Sequence, residues 1–337
     1  MEFGLFGGAM RPVKGDSGDS QAYGTYIDYV MEADRLGYHS AFVIEHHFTG
    51  FGQVSAVLSL LAYLAGRTER IRLGTAVVVL PWHNPVLLAE QASTVDLVSG
   101  GRLDFGVGRG YRPNEFHGFA IDPDEANDRY LECLDIIRTS WTTEGRFSYD
   151  GKFWSYRDII VEPTPIQEPH PPIWVGAGSE ASVRQAARSG AQLLVDQFGT
   201  IDMTCQRIEW YRDEIECNGG TFDPSHVAAA RGLMLVHDDE LDTIEAEFER
   251  RLAGIIRLRE ASRIPGDDRP LTIQDHAFYD DTRRSSEAAV IGGTAEECIR
   301  RLKILESAGA GQVLLTDGSG GIPRLRHFAE AVMPAFR

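Results

Sequence analysis

Three short stretches of this chain hold residues whose types and spacing suit chemistry. The first is Glu45-His46-His47-Phe48, which closes an apolar run. An imidazole titrates near neutral pH and can take or give a proton. Two of them beside a carboxylate point to acid–base work. Side chains alternate along a strand, so His46 faces away from Glu45 and His47. A neighbouring carboxylate raises a histidine pKa, and that is the expectation for His46. A metal is weakly signalled, because no HxxxH or two-histidine, one-carboxylate spacing lies nearby. The second stretch, Leu103 to Gly110, is a strand pattern running into Gly108-Arg109-Gly110. Glycines let backbone approach a ligand, and an arginine offers a forked donor to phosphate. It is not a dinucleotide GxGxxG turn, since Tyr111 stands where a third small residue belongs. The third stretch runs from Ile173 through Gly178 and Ser179 to Ser182: a strand, a glycine turn and a helix start. Free N–H groups there suit an anion, although Ser179 could equally just cap the helix. Asp317-Gly318-Ser319-Gly320-Gly321 is a rival phosphate loop, weakened by its aspartate. There is no GxSxG elbow, no GxxxxGK[ST] loop and no partnered cysteine nucleophile. That absence delegates the chemistry to a cofactor.

Something must hold these stretches together. Strand patterns fall at 2–7, 40–45, 71–79, 103–107, 172–176, 191–195, 227–236 and 311–316. Amphipathic helices fall near 21–37, 54–66, 85–99, 124–142, 179–189, 202–217, 239–256, 295–308 and 323–333. Eight strands each followed by a helix most simply close into a (β/α)8 TIM barrel, with function at the strand C-termini. An open doubly wound sheet is the alternative. Asn84-Pro85, Asp122-Pro123 and Thr294-Ala295-Glu296-Glu297 read as helix starts, the last as a reciprocal capping box. Residues 143–170 read as a hairpin insertion with Asp150-Gly151 at its turn, followed by a proline-rich connection. Residues 257–290 lack periodicity and read as a mobile lid. The helix at 54–66 is polar only at Ser55, Ser59 and Tyr63, so it needs cover on both sides. That points to a subunit interface, or else to a second layer of the same chain.

The 337 residues carry 33 Lys+Arg against 50 Asp+Glu, a net charge of −17. This opposes nucleic-acid binding and docking on anionic membranes. Cys133, Cys205, Cys217 and Cys298 show no CxxC spacing, which fits a reducing cytoplasm rather than a disulfide scaffold. The most apolar stretch, 54–65, is shorter than the roughly 18 residues a membrane span requires. MEFGLFGGAM has no basic leader and reads as the first strand.

Along nearly its whole length the chain resembles the bacterial luciferase-like flavin-dependent monooxygenases. The resemblance rests on MEFGLF, ADRLGYHSAFVIEHHF, RIRLGTAVVVLPWHNPVLLAEQ, DLVSGGRLDFGVGRGY, PPIWVGAGSEASV and GGTAEECIRRL, with EHHF and LGTAVVVLP the most telling. It implies a single luciferase-like barrel domain over 1–337 with insertions, usually dimeric, binding reduced FMN at the strand C-termini. A separate flavin reductase would supply the FMN, and oxygen would reach a small organic substrate through a flavin peroxide. His46 falls on the family's catalytic histidine, with Glu45 and His47 on its flanks. Arg109 falls on the phosphate arginine, and Gly178, Ser179 and Ser182 on the phosphate turn. Ala76-Val77 falls on a non-proline cis peptide beneath the flavin ring. Gly108 replaces the reactive cysteine of the light-emitting subunit, and Gly178 replaces a glutamate. Light emission is therefore not expected, and Gly108 is expected to leave room for a bulkier substrate. A deazaflavin-dependent reductase or dehydrogenase of the same fold, and a non-catalytic flavin-binding protein, are the alternatives.

Overall fold

The computed structural model describes residues 1–11, 18–266, 287–317 and 321–337. Eight parallel strands form the centre: β1 (Glu2–Gly7), β2 (Ser40–Val43), β3 (Arg72–Thr75, resuming at Val78–Val79), β4 (Leu103–Gly108), β5 (Ile173–Gly176), β6 (Gln192–Val195), β7 (Val227–Leu235) and β8 (Gln312–Thr316). Each pairs with the next, and β8 returns to β1 through Gln312 opposite Glu2, so the barrel is closed. The open-sheet alternative falls. Around the strands lie α1 (Asp19–Leu36), α2 (Val57–Ala65), α3 (Pro85–Ser99), α4 (Ala126–Thr142), α5 (Glu180–Arg188), α6 (Ile201–Cys217), α7 (Ile244–Glu260), α8 (Ala295–Ala308) and α9 (Gly321–Ala331).

The period-two pattern divides the core in two. Phe3, Leu5, Leu73, Phe105, Val107, Leu193 and Val313 face outward and pack among the helices. Phe42, Trp174, Leu194, Ala228, Ala230 and Leu314 fill the barrel itself. Phe42 and Trp174, its two aromatic members, meet edge to face at 5.6 Å. Glycine is then forced on the neighbouring strands. A Cβ on Gly74 would come within 2.5 Å of the Phe42 ring, and one on Gly106 within 1.8 Å of the Thr75 carbonyl oxygen.

Several boundaries differ from the sequence expectation. Asp150 pairs with Ser155, so the hairpin loop is Gly151–Trp154, and α4 pins it through Glu132, which accepts from the N–H groups of Lys152, Phe153 and Trp154. Thr294 caps α8, but Glu297 turns to Arg300 and Arg301 instead of completing a capping box. A strand at Ile291–Gly293 extends the upper half of β7. A short helix, Pro113–Gly118, follows β4 where none was expected. The expected lid is helical at its start, where α7 continues to Glu260, while its central part, 267–286, lies outside the described residues.

The apolar α2 is mostly covered by its own chain. Val57, Leu58, Leu60, Leu61, Leu64 and Ala65 are all buried, against β3, α1 and α3. The strand beneath it and the two flanking helices of the barrel cover most of that surface, with no second layer involved among the described residues, and Ser55, Ser59 and Tyr63 remain open.

One helix lies over the mouth. Arg251 of α7 donates to the Gln197 carbonyl after β6 at 3.2 Å, and Arg257 stands 4.8 Å from the Phe51 ring after β2. Just beyond α7, the Ser262 carbonyl accepts from the Asn114 N–H after β4 at 3.2 Å. Contacts to loops on three sides roof the C-terminal face. For the core beneath, Gly106→Ala should destabilise the fold at the top of, or beyond, the roughly 1–3 kcal/mol typical of overpacking. Denaturant unfolding of the variant against the native chain measures it.

Candidate functional site

β2 delivers the first stretch to the mouth. The His46 N–H donates to the Val54 carbonyl at 2.9 Å, which fixes the chain just past the strand. Alternation then sends the side chains apart as expected. Glu45 and His47 share one side, where Glu45 Oε1 accepts from His47 Nε2 at 3.0 Å, His83 Nε2 at 2.9 Å and Trp82 Nε1 at 3.2 Å. Burial pushes the Glu45 carboxyl up, but the bonds from His47 and His83 outweigh it and hold it below the usual range. Glu45 Oε2 is buried and has no hydrogen-bond partner among the described residues.

On the other side, His46 Nδ1 lies 3.1 Å from Glu115 Oε1. The same oxygen accepts the His47 backbone N–H at 2.9 Å. Because Oε1 is already an acceptor there, the His46 proton sits on Nδ1 and the lone pair on Nε2. The expected upward shift of His46 does not hold. Burial pushes its pKa down, the nearby Arg112 charge adds to that, and Glu115 and then Glu45 oppose it without prevailing. His46 is thus kept neutral below the pH at which a free imidazole would charge.

Glu115, Arg112, Trp82 and His83 were not singled out in the sequence. Glu115 and Arg112 come from the Pro113–Gly118 helix and its N-cap. Pro113 at the first helical position was a readable start signal. An aromatic wall adjoins the histidines: Trp82 stacks on Phe119 at 5.1 Å, and Phe119 meets His47 at 4.8 Å and Phe48 at 5.0 Å. Phe48 has φ of 57° and is 58% exposed.

The peptide between Ala76 and Val77 is cis, at the position the resemblance implied. Val77 also corrects the reading of Gly108. A Cβ on Gly108 would lie 2.4 Å from Val77 Cγ2, and one on Gly176 3.3 Å from Val77 Cγ1. The space that Gly108 leaves is filled by Val77 and is not open.

Arg109 is exposed, and no partner is recorded for it among the described residues. It follows β4, and the third stretch follows β5, which pairs with β4 through Val107 opposite Val175. The two phosphate-suited groups therefore close adjacent strands. Ser179 caps α5 and is paired with Ser182, Oγ to Oγ, at 2.9 Å. The pair closes a reciprocal capping box: Ser182 Oγ accepts the Ser179 N–H at 3.1 Å and donates to the Ser179 carbonyl at 2.9 Å, and Ser179 Oγ accepts the Ser182 N–H at 3.3 Å, so both hydroxyls are engaged in the cap. Arg207 Nε holds the Gly178 carbonyl at 2.8 Å, and its Nη1 meets Asp196 at 2.9 Å. In the rival loop, Asp317 pairs with Arg324 at 3.0 Å, while residues 318–320 lie outside the described residues. Among the described residues no cluster of three His, Cys, Asp or Glu could hold a metal, and no helix is long and apolar enough to cross a membrane.

A closed parallel barrel with a carboxylate-held histidine at its C-terminal mouth defines a barrel enzyme with an acid–base group at its strand ends. More narrowly, the chain belongs to the luciferase-like monooxygenase family, whose model matches residues 1–312. It is 28% identical to the oxygenase component of the flavin-dependent trigonelline monooxygenase of Acinetobacter baylyi, over 100% of this chain and 96% of that one. It superposes on the monooxygenase RslO1 from Streptomyces bottropensis with a TM-score of 0.84 and 26% identity, covering 100% of both chains. An F420-dependent secondary alcohol dehydrogenase shares the fold alone, at TM-score 0.78 and 19% identity, covering 100% of this chain and 99% of that one.

The electrostatics of His46 are directly measurable. Glu115→Gln removes a group that raises its pKa, so the His46 ring should titrate at still lower pH. Arg112→Gln removes one that lowers it, so the titration should move up. Ring resonances of His46 followed by NMR across pH 4–8 report both signs.

Proposed function

We propose that this protein is the oxygenase component of a two-component monooxygenase, taking reduced FMN from a separate reductase and oxygenating a small organic substrate. The observation that carries the reading is the His46–Glu115 pair on the same barrel face as Arg109, which is exposed and has no partner among the described residues. The residues fit such a cofactor. An exposed guanidinium and the start of α5 close adjacent strands and suit a phosphate. Val77 and the glycines at 108 and 176 make a smooth floor for a flat ring. When bound, reduced FMN supplies the activation of molecular oxygen. The chain's own contribution is positional. Arg109 binds the phosphate and Arg207 braces the Gly178 turn. His46 Nε2 takes or returns a proton while Glu115 holds the ring by Nδ1. The roof over the mouth limits water. The relative from Acinetobacter is flavin-dependent, which favours FMN over a deazaflavin.

Anaerobic mixing with reduced FMN, followed by air and candidate substrates, tests the whole. His46→Ala should retain FMN but lose roughly 10²–10⁴-fold in oxygen uptake coupled to substrate. Arg109→Ala should weaken FMN by about 10–100-fold and spare riboflavin, as expected for a lost charge-assisted contact. Full activity of the first variant, or equal loss of both ligands in the second, would refute these roles. Binding of the deazaflavin with none of FMN would favour the alternative cofactor.

We further propose that the protein is a homodimer. The open face of α2 and its lead-in (Ser55, Ser59, Tyr63) and that of α3 (Leu87, Gln91, Thr94, Val98) carry as charges only the half-buried Glu90 and Arg67, which donates to the Tyr63 hydroxyl at 2.7 Å, in a chain of net −17. Leu87 and Val98 are each 57% exposed. Such a face suits a second copy. Light scattering should give a dimer mass for the native chain and a monomer mass for Leu87→Asp with Val98→Asp.

A further inference from the structure

Arg112 is 1% exposed, and among the described residues it has no carboxylate partner. Its Nη1 has no hydrogen-bond partner, and its Nε reaches only the Tyr111 hydroxyl, at the long distance of 3.5 Å. The guanidinium lies 5.8 Å from the Tyr111 ring, and that ring meets His46 edge-on at 6.4 Å. Glu115, three residues along the same short helix, is committed to His46 and His47 through Oε1. Arg207 is buried to the same degree yet is paired with Asp196. Arg231, the third fully buried arginine, lies on β7, three strands from β2; its Nη1 donates to the carbonyls of Asp196 and Gly199 after β6, while its Nε and Nη2 have no hydrogen-bond partner among the described residues. Burying a cation without a counter-charge is costly, and the cost falls when a ligand brings the missing anion.

We propose that the substrate is a planar organic carboxylate whose anion is taken by the Arg112 guanidinium beside His46, with its apolar body against the Tyr111 ring. Planarity follows from the Tyr111 ring, which lies against both Arg112 and His46, and the anion from the unmatched guanidinium. The proposal rests on His46 marking the reacting end of the site, but binding is measured without flavin or oxygen, so the two readings fail separately. Neutralising Arg112 also removes a field that opposes charge on His46, so the carboxylate binds with uptake of a proton.

Benzoate and benzamide serve as probes, titrated calorimetrically into the full-length, flavin-free protein. Native protein should bind benzoate at least ~10-fold more tightly than benzamide, the effect of one charge-assisted contact, and Arg112→Gln should reduce the ratio to about twofold or less. Benzoate binding, repeated in two buffers of different ionisation enthalpy, should show proton uptake that vanishes in His46→Ala. Should Arg112→Gln fail to fold, Arg112→Lys carries the test: the charge stays and the fork is lost, so benzoate weakens several-fold while benzamide does not change. Equal affinity of native protein for the two probes overturns the proposal. So does a benzoate preference that survives Arg112→Gln. If that same variant loses reduced FMN instead, the guanidinium serves the cofactor and the substrate assignment falls.

Discussion

One carboxylate oxygen organises the mouth of this barrel. Glu115 Oε1 accepts both the imidazole of His46 and the backbone N–H of His47, and so it joins two segments 69 residues apart. The backbone bond makes the oxygen an acceptor, and that decides which imidazole nitrogen carries the proton. Everything functional about His46 follows: a neutral ring, a proton locked on Nδ1 and a lone pair on Nε2. Without this oxygen the Pro113–Gly118 helix would lose its main hold on the end of β2.

The two adjacent histidines are therefore not equivalent. His47 belongs to a buried network with Glu45, His83 and Trp82, where every donor points to one oxygen. That network fixes the loop and the aromatic wall behind it. His46 faces Tyr111 and sits within the field of Arg112, where burial and a nearby cation favour its uncharged form. Strand alternation alone separates these environments.

Much of this was legible in the sequence, for a physical reason. The eight strands show as β-branched or apolar runs because both faces of a parallel barrel strand are buried. Helix starts at Asn84 and Thr294 show because capping is a local interaction. The EHHF stretch stood out because it combines polar groups with the end of an apolar strand. What stayed hidden depends on distant neighbours. Glu115 sits on six residues too short for any periodicity, and its partner is far away in the chain. The direction of the His46 shift needed burial and Arg112, neither of which is local. Glu297 left its cap for two arginines on the next turn, a competition that spacing cannot rank.

Val77 has a wider meaning for how this scaffold diversifies. Its two methyl groups lie over Gly108 and Gly176, so positions on three neighbouring strands share a single volume. They cannot change independently. A chain with a larger residue at 108 must trim or redirect the one at 77, and a chain with a smaller residue at 77 gains depth on two strands at once. The level of this false bottom is set by one aliphatic side chain, which lets the chamber deepen or shallow while the strands beneath keep their places.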